Sequence, residues 1–165
     1  MVHAKLQAGE QAGTYVVPEP VTEDEILSMA QRLARRRLAR GRILRGPASV
    51  YRALQTQLLD RDHEVFGVVY LDNRHRIRGV EELFRGSIDG TTVHAREVVK
   101  EALRHGAAAV ILVHNHPSGH LEPSVADEQI TARLRQALEL VEVRVLDHVI
   151  VSAEGYTSLA ERGKL

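Results

Sequence analysis

The sequence lacks cysteine and tryptophan altogether and has only two phenylalanines, four tyrosines and five prolines among its 165 residues. Without cysteine, the chain can form no disulfide, thiolate nucleophile, iron–sulfur cluster or zinc site with sulfur ligands. Any metal that it binds must therefore have nitrogen and oxygen ligands. No segment approaches the roughly 20 apolar residues that span a bilayer, and residues 1–20 do not resemble a signal peptide. We therefore expect a cytoplasmic protein that does not associate with membranes.

The residues that are present are typical of a soluble globular domain. Hydrophobic residues make up 44% of the chain and charged residues 27%, and a chain of this length can bury a core of its own. The nine histidines are the unusual feature of the composition. The formal net charge is zero, but residues 1–62 carry ten basic and seven acidic side chains, whereas residues 63–165 carry twelve and fifteen.

The first part of the chain is predicted to be an arm followed by helices. Residues 1–21 are polar, contain two glycines and two prolines and show no periodicity, which predicts a flexible arm. Residues 22–60 are predicted to form a short helical segment, since Thr22 and Glu25 have the spacing of a capping box. Apolar residues then recur at helical intervals as far as Leu38. A second short helix is predicted over 49–58.

Residues 61–165 show an α/β pattern. Strands are predicted over 65–71, 76–84, 107–113, 143–151 and, as a short last strand, 156–159; helices are predicted over 95–105 and 124–140. The apolar run over 107–113 is typical of a strand buried on both faces. This order predicts an α/β fold in which a mixed β-sheet is flanked by helices, preceded by the short helical extension.

The segment after the buried strand has the features of a metal site. His114 and His116 are two residues apart, so in an extended chain both imidazoles point to the same side. Asp127 falls in the first turn of the next predicted helix and can bring a carboxylate back to them. Two imidazoles and one carboxylate leave a fourth position for water, as in a catalytic zinc site. Ser124 and Asp127 also form an ordinary capping box, and the two functions of Asp127 are compatible.

These residues resemble a known family. His114, His116, Ser124 and Asp127 have the spacing of the metal motif in the JAB/MPN (JAMM) metalloprotease superfamily. The segments HNHPSG, REVVKEAL and DHVIV resemble those of its RadC-type branch, and residues 61–165 are identified as a RadC-like JAB/MPN domain. The resemblance implies a three-layer architecture related to that of the deaminases. One departure is Ala95, where the family usually has proline.

The resemblance also implies a mechanism. One zinc ion per chain would be held by His114, His116 and Asp127, and an upstream glutamate would act as the general base. Glu64, at the start of a predicted strand, is the first candidate for this base, and Glu97 is the second. Ser124 would help to hold the oxyanion. The expected activity is zinc-dependent hydrolysis of a peptide or isopeptide amide, with the substrate unidentified and loops over 85–94 and 117–123 contributing to its selection.

A basic run gives rise to the alternative hypotheses. Seven arginines and no acidic residue lie between positions 32 and 45, and Arg35, Arg36 and Arg40 are candidates for contact with nucleic acid. A solvated helix face is the simpler explanation. RadC-type proteins also carry an association with DNA repair, which leaves open a metal-dependent DNA-acting enzyme or a non-enzymatic DNA- or protein-binding module. A zinc nucleobase deaminase is excluded because its metal site needs cysteines.

Overall fold

A five-stranded mixed sheet forms the centre of the computed structural model, which describes residues 5–44, 46–86 and 92–165. The strand order is β4-β3-β5-β6-β7, and only β5 and β6 are parallel. These strands are β3 (Val65–Leu71), β4 (Ile77–Arg85), β5 (Ala109–Asn115), β6 (Arg144–Ser152) and β7 (Gly155–Ser158). A separate pair of two-residue strands, β1 (Gln7–Ala8) and β2 (Tyr15–Val16), precedes them.

Helices cover both faces of this sheet, so the predicted α/β architecture is confirmed. They are α1 (Glu23–Arg37), α2 (Pro47–Leu58), α3 (Ala95–Arg104) and α4 (Val125–Glu139). Successive residues of β3 point to opposite faces: Val69 packs in a core with α1 and α2, whereas Tyr70 packs in a second core with α3 and α4. Both β3 and β5 are buried along their whole length, as the apolar run over 107–113 predicted for β5.

The N-terminal helices pack on the sheet as part of its core. Thr22 caps α1 through the predicted capping box with Glu25. Tyr51 of α2 donates a hydrogen bond to the buried carboxylate of Asp147 in β6, which also accepts from the hydroxyl of Ser158. Burial, together with the negative charge of Asp147, raises the pKa of Tyr51 above its usual value. The predicted boundary between residues 60 and 61 therefore falls inside one continuous core.

The described part of the segment predicted to be a flexible arm, residues 5–21, contains two short strands. β1 and β2 pair in antiparallel fashion, and Leu6 beside them is buried. Lys5 forms an ion pair with Glu25 at 3.1 Å, and the hydroxyl of Tyr15 accepts a hydrogen bond from Arg36. Strands of two residues are too short to show a periodicity, so the sequence pattern does not reveal them.

The structure also bears on membrane-spanning helices and leaves parts of two predicted features undescribed. No helix in the described part of the chain is long and apolar enough to cross a membrane. Arg45, the last arginine of the basic run, and residues 87–91 of the loop over 85–94 lie outside the described residues.

Candidate metal centre

The two histidines of the predicted site lie at the carboxyl end of the central strand. β5 runs two residues further than predicted, so His114 is inside the strand and only His116 follows it. His114 pairs with Phe66 of β3 on one side and with Ile150 of β6 on the other, and it is almost fully buried. The position just beyond the strand end was therefore wrong for His114, whereas the same-side arrangement of the two imidazoles is confirmed.

Three ligand atoms converge where α4 begins. The Nε2 atom of His114 lies 2.9 Å from Nε2 of His116 and 3.1 Å from Oδ1 of Asp127. The Nε2 atom of His116 lies 3.6 Å from Oδ2 of Asp127. Ligand atoms about 2.05 Å from a tetrahedral zinc ion are about 3.3 Å apart. The two distances that involve Nε2 of His114 lie close to this value, whereas the 3.6 Å contact of His116 is made with the other oxygen of Asp127. The set of two imidazoles and one carboxylate therefore fits zinc in both chemistry and spacing.

The first turn of α4 fixes the carboxylate of this group. The backbone N–H and the hydroxyl of Ser124 both donate to Oδ2 of Asp127 at 2.7 Å, and the backbone N–H of Asp127 donates to the Ser124 hydroxyl at 3.1 Å. Burial works to raise the pKa of Asp127, but the interaction with His114 and the hydrogen bonds from Ser124 outweigh it and hold this pKa well below its usual value. Ser124 and Asp127 thus form the predicted capping box, while Oδ1 of Asp127 faces His114.

The far side of each imidazole is also engaged. Nδ1 of His116 lies 2.8 Å from the backbone carbonyl oxygen of His120. Nδ1 of His114 lies 2.8 Å from Nε2 of His148, and Nδ1 of His148 lies 2.5 Å from the hydroxyl of Thr131. Histidines that bind a metal usually have such an outer partner, which fixes the ring orientation.

Sequence reasoning missed these partners. His148 is fully buried beside the site, where burial and the neighbouring His114 lower its pKa well below the usual value. The available signal was a polar side chain within an apolar strand.

Asn115, the residue between the two histidines, fixes the segment that carries the candidate base. Its side-chain oxygen accepts from the backbone N–H of Val65 at 2.7 Å, and its side-chain nitrogen donates to the carbonyl of His63 at 3.0 Å. Both peptide groups flank Glu64.

The two candidate bases lie in different surroundings. Glu64 lines an open cleft of about 790 Å³ together with His114, His116, Ser124 and Asp127. Glu97 does not line this cleft; it pairs with Lys100 and Arg96 near the start of α3, and the hydrogen bond and charge of Lys100 lower its pKa. The structure therefore brings Glu64, and not Glu97, into the same cleft as the three ligands.

Comparison with known proteins identifies the family. The model of the family described as "RadC-like JAB domain" matches residues 44–164. The chain belongs to this family. It is also 56% identical over 140 residues to a UPF0758 protein of Thioalkalivibrio sulfidiphilus and 55% identical over 139 residues to one of Nitrosococcus oceani. These matches cover 85% and 84% of the chain but 62% of each relative, so the chain spans less than two thirds of their length.

This RadC-like JAB domain has a second cluster of possible ligands, on the face of the sheet that α3 covers. Glu81, Glu101 and His105 lie close enough together to share an ion. The guanidinium of Arg104, however, contacts both carboxylates and lies between them. A cation is therefore already present, and we assign this group as an ion-pair cluster.

The basic run of this JAB domain is distributed differently from the prediction. Arg36 lines a groove of about 940 Å³ with Arg37, Arg42 and Arg52. Arg35 lies in another groove, which Glu81 and Glu82 of β4 also line. Arg40 is exposed but does not line the groove that contains Arg36. The structure thus brings one of the three predicted arginines together with three others.

Proposed function

We propose that this chain is a zinc-dependent hydrolase that cleaves a peptide or isopeptide amide. The observation that carries the proposal is the convergence of three ligand atoms, from His114, His116 and Asp127, on the wall of an open cleft. Three protein ligands would leave a fourth position for water, as in catalytic zinc sites and unlike structural ones. Membership in the RadC-like JAB family supports it, because JAB proteins include metalloproteases that commonly bind zinc.

The residues of the cleft would divide the chemistry between them. A zinc ion in this site would supply a water of pKa about 7 and polarise the amide carbonyl. The carboxylate of Glu64 would accept a proton from the attacking water and deliver it to the departing amine nitrogen. The hydroxyl of Ser124 would donate to the oxyanion, for which it must first release Oδ2 of Asp127.

The proposal is tested by metal content and by hydrolysis together. We expect about one zinc per chain after purification without chelator, and hydrolysis of a fluorogenic peptide or isopeptide library that disappears on chelation and returns with zinc. Elemental analysis and fluorescence measure the two. The absence of zinc both after purification and after reconstitution would refute the proposal.

A metal-dependent nuclease that uses the same site has less support. Magnesium, the common metal of nucleases, prefers carboxylates and water as ligands, whereas two of the three converging side chains here are imidazoles. Nicking of a plasmid that disappears in the variant His116→Ala would favour it.

We also propose that the arginine groove, lined by Arg36, Arg37, Arg42 and Arg52, binds the phosphate backbone of duplex nucleic acid. All four arginines are exposed, and none forms an ion pair with a carboxylate in the described part of the chain. The first turn of α2 also faces this groove and carries no acidic residue, so its N–H groups add to the positive potential. No aromatic side chain lines the groove, which favours phosphate contact over base stacking.

Binding to this groove is expected to depend strongly on salt. In fluorescence anisotropy with a labelled duplex, the double variant Arg42→Ala/Arg52→Ala should bind more weakly and reduce the slope of log K against log salt by about 0.9 for each phosphate that is no longer neutralised. The variant Arg133→Ala/Arg135→Ala removes the same charge from α4 and is the control. Equal weakening by both variants, or tighter binding to polyglutamate than to duplex, would contradict the proposal.

A further inference from the structure

We infer that Thr131 and His148 hold the proton of the His114 ring on Nδ1 and so keep Nε2 free to bind the ion. Neither residue belongs to the three converging ligands. The inference rests on the proposed zinc site and adds two positioning residues to it. The hydrogens available along the hydrogen-bond chain behind that ring determine which of its nitrogens carries the proton.

The ring of His116 gives the simpler case. A neutral imidazole carries one N–H, and the other nitrogen has a free lone pair. Nδ1 of His116 faces the carbonyl oxygen of His120 at 2.8 Å, and a carbonyl can only accept. The proton must therefore be on Nδ1, which leaves the lone pair of Nε2 to point at the site. One backbone carbonyl is sufficient to fix this tautomer.

The ring of His114 has no such carbonyl, because its Nδ1 faces Nε2 of another imidazole, that of His148. Either nitrogen of that pair could be the donor, and the choice is made further along. The hydroxyl of Thr131 lies 2.6 Å from the backbone carbonyl of Asp127 and 2.5 Å from Nδ1 of His148. The carbonyl can only accept, so the single hydroxyl hydrogen of Thr131 goes there.

This assignment fixes the positions of the other protons in the hydrogen-bond chain. The Thr131 oxygen can now only accept from His148, so Nδ1 of His148 carries a proton and Nε2 of the same ring does not. That Nε2 atom then accepts the proton on Nδ1 of His114, so a neutral His114 ring has its free lone pair on Nε2. The opposite direction would place two bare oxygen acceptors 2.6 Å apart and a proton on the nitrogen that faces the site.

Packing holds the imidazoles of His114 and His148 and the hydroxyl of Thr131 in place. His148 is fully buried and Thr131 nearly so, which leaves water little access to substitute for either partner. The ring of Phe66 stacks on His114 and meets the edge of His148, with centroid distances of 6.3 and 5.5 Å. The hydrogen-bond chain also joins β5 and β6 to α4, the helix that carries Asp127.

The variant Thr131→Val tests the inference, because valine keeps the branched shape and removes the hydroxyl. We expect zinc affinity, measured by competition with a chromogenic chelator, to fall about 10- to 100-fold, as for other outer partners of metal ligands. Thr131→Ser restores the hydroxyl and should bind within a few-fold of the wild type. Leu134→Val, one turn along the same buried face, should lower the melting temperature without lowering zinc affinity.

A second readout does not depend on the metal. Long-range ¹H–¹⁵N correlation spectra of the zinc-free chain distinguish the two tautomers of a histidine, and we expect the proton of His148 on Nδ1. Zinc affinity of Thr131→Val within twofold of the wild type, or a proton on Nε2 of His148, would overturn the inference. A wild-type chain that binds no zinc would instead refute the proposed function, and the tautomer of His148 would still decide the present point.

Discussion

Replacing His116 with alanine is expected to abolish stoichiometric zinc binding. The change removes one of the three converging side chains, whose ligand atoms lie within 4.8 Å of one another. A four-ligand zinc site binds with about 10–16 kcal/mol, so one ligand is worth about 3 kcal/mol, or 10²- to 10³-fold in affinity. Equilibrium dialysis followed by elemental analysis measures the loss, and a circular dichroism spectrum like that of the wild type shows that the fold remains.

His120→Ala is the matched control for this variant. The His120 side chain lines the same cleft, but its ring is not one of the converging ligands. Its contribution to the site is the backbone carbonyl that faces Nδ1 of His116, and alanine keeps that carbonyl. We expect His120→Ala to bind zinc nearly as the wild type does. Retention of one zinc by His116→Ala, or equal loss in both variants, would show that the ion is held elsewhere.

Local patterns were sufficient to predict most of the elements and the converging ligands. The strand over Val65–Leu71 has the predicted bounds, and the two capping boxes form at Thr22 and Ser124. His114 and His116 share one side of a strand because side chains alternate along it, and Asp127 is brought back to them by the first turn of the following helix. Each of these relations joins residues that are close in sequence, and a local pattern can therefore reveal it.

The supporting contacts could not be predicted, because they join residues far apart in the chain. His114 meets His148 34 positions later, and Asn115 holds the backbone of Val65 50 positions earlier. Which polar side chain of one strand meets which side chain of another depends on the register between strands, and no periodicity encodes that register. The sequence did not show which arginines lie together for a related reason, since the arginine groove is formed by two helices and the segment between them.

Replacing Glu64 with glutamine is expected to leave zinc binding intact and to remove amide hydrolysis. Glutamine keeps the shape of the side chain, so the backbone hydrogen bonds of Asn115 on either side should persist. It cannot accept the proton of the attacking water, and general acid–base catalysis of this kind contributes about 10²- to 10⁴-fold to a rate. We expect kcat to fall by a factor in that range while KM and zinc content change little. A fluorogenic substrate found in the library measures kcat.

The variant Glu97→Gln separates the two candidate bases, since it makes the same chemical change outside the cleft. Glu97 forms ion pairs with Lys100 and Arg96 on the surface of α3, and solvent-screened pairs of this kind contribute little to stability. Its kcat should therefore match that of the wild type. A large loss in Glu97→Gln with normal hydrolysis in Glu64→Gln would reverse the assignment. Loss of zinc from Glu64→Gln would mean that this carboxylate supports the ion rather than moving a proton.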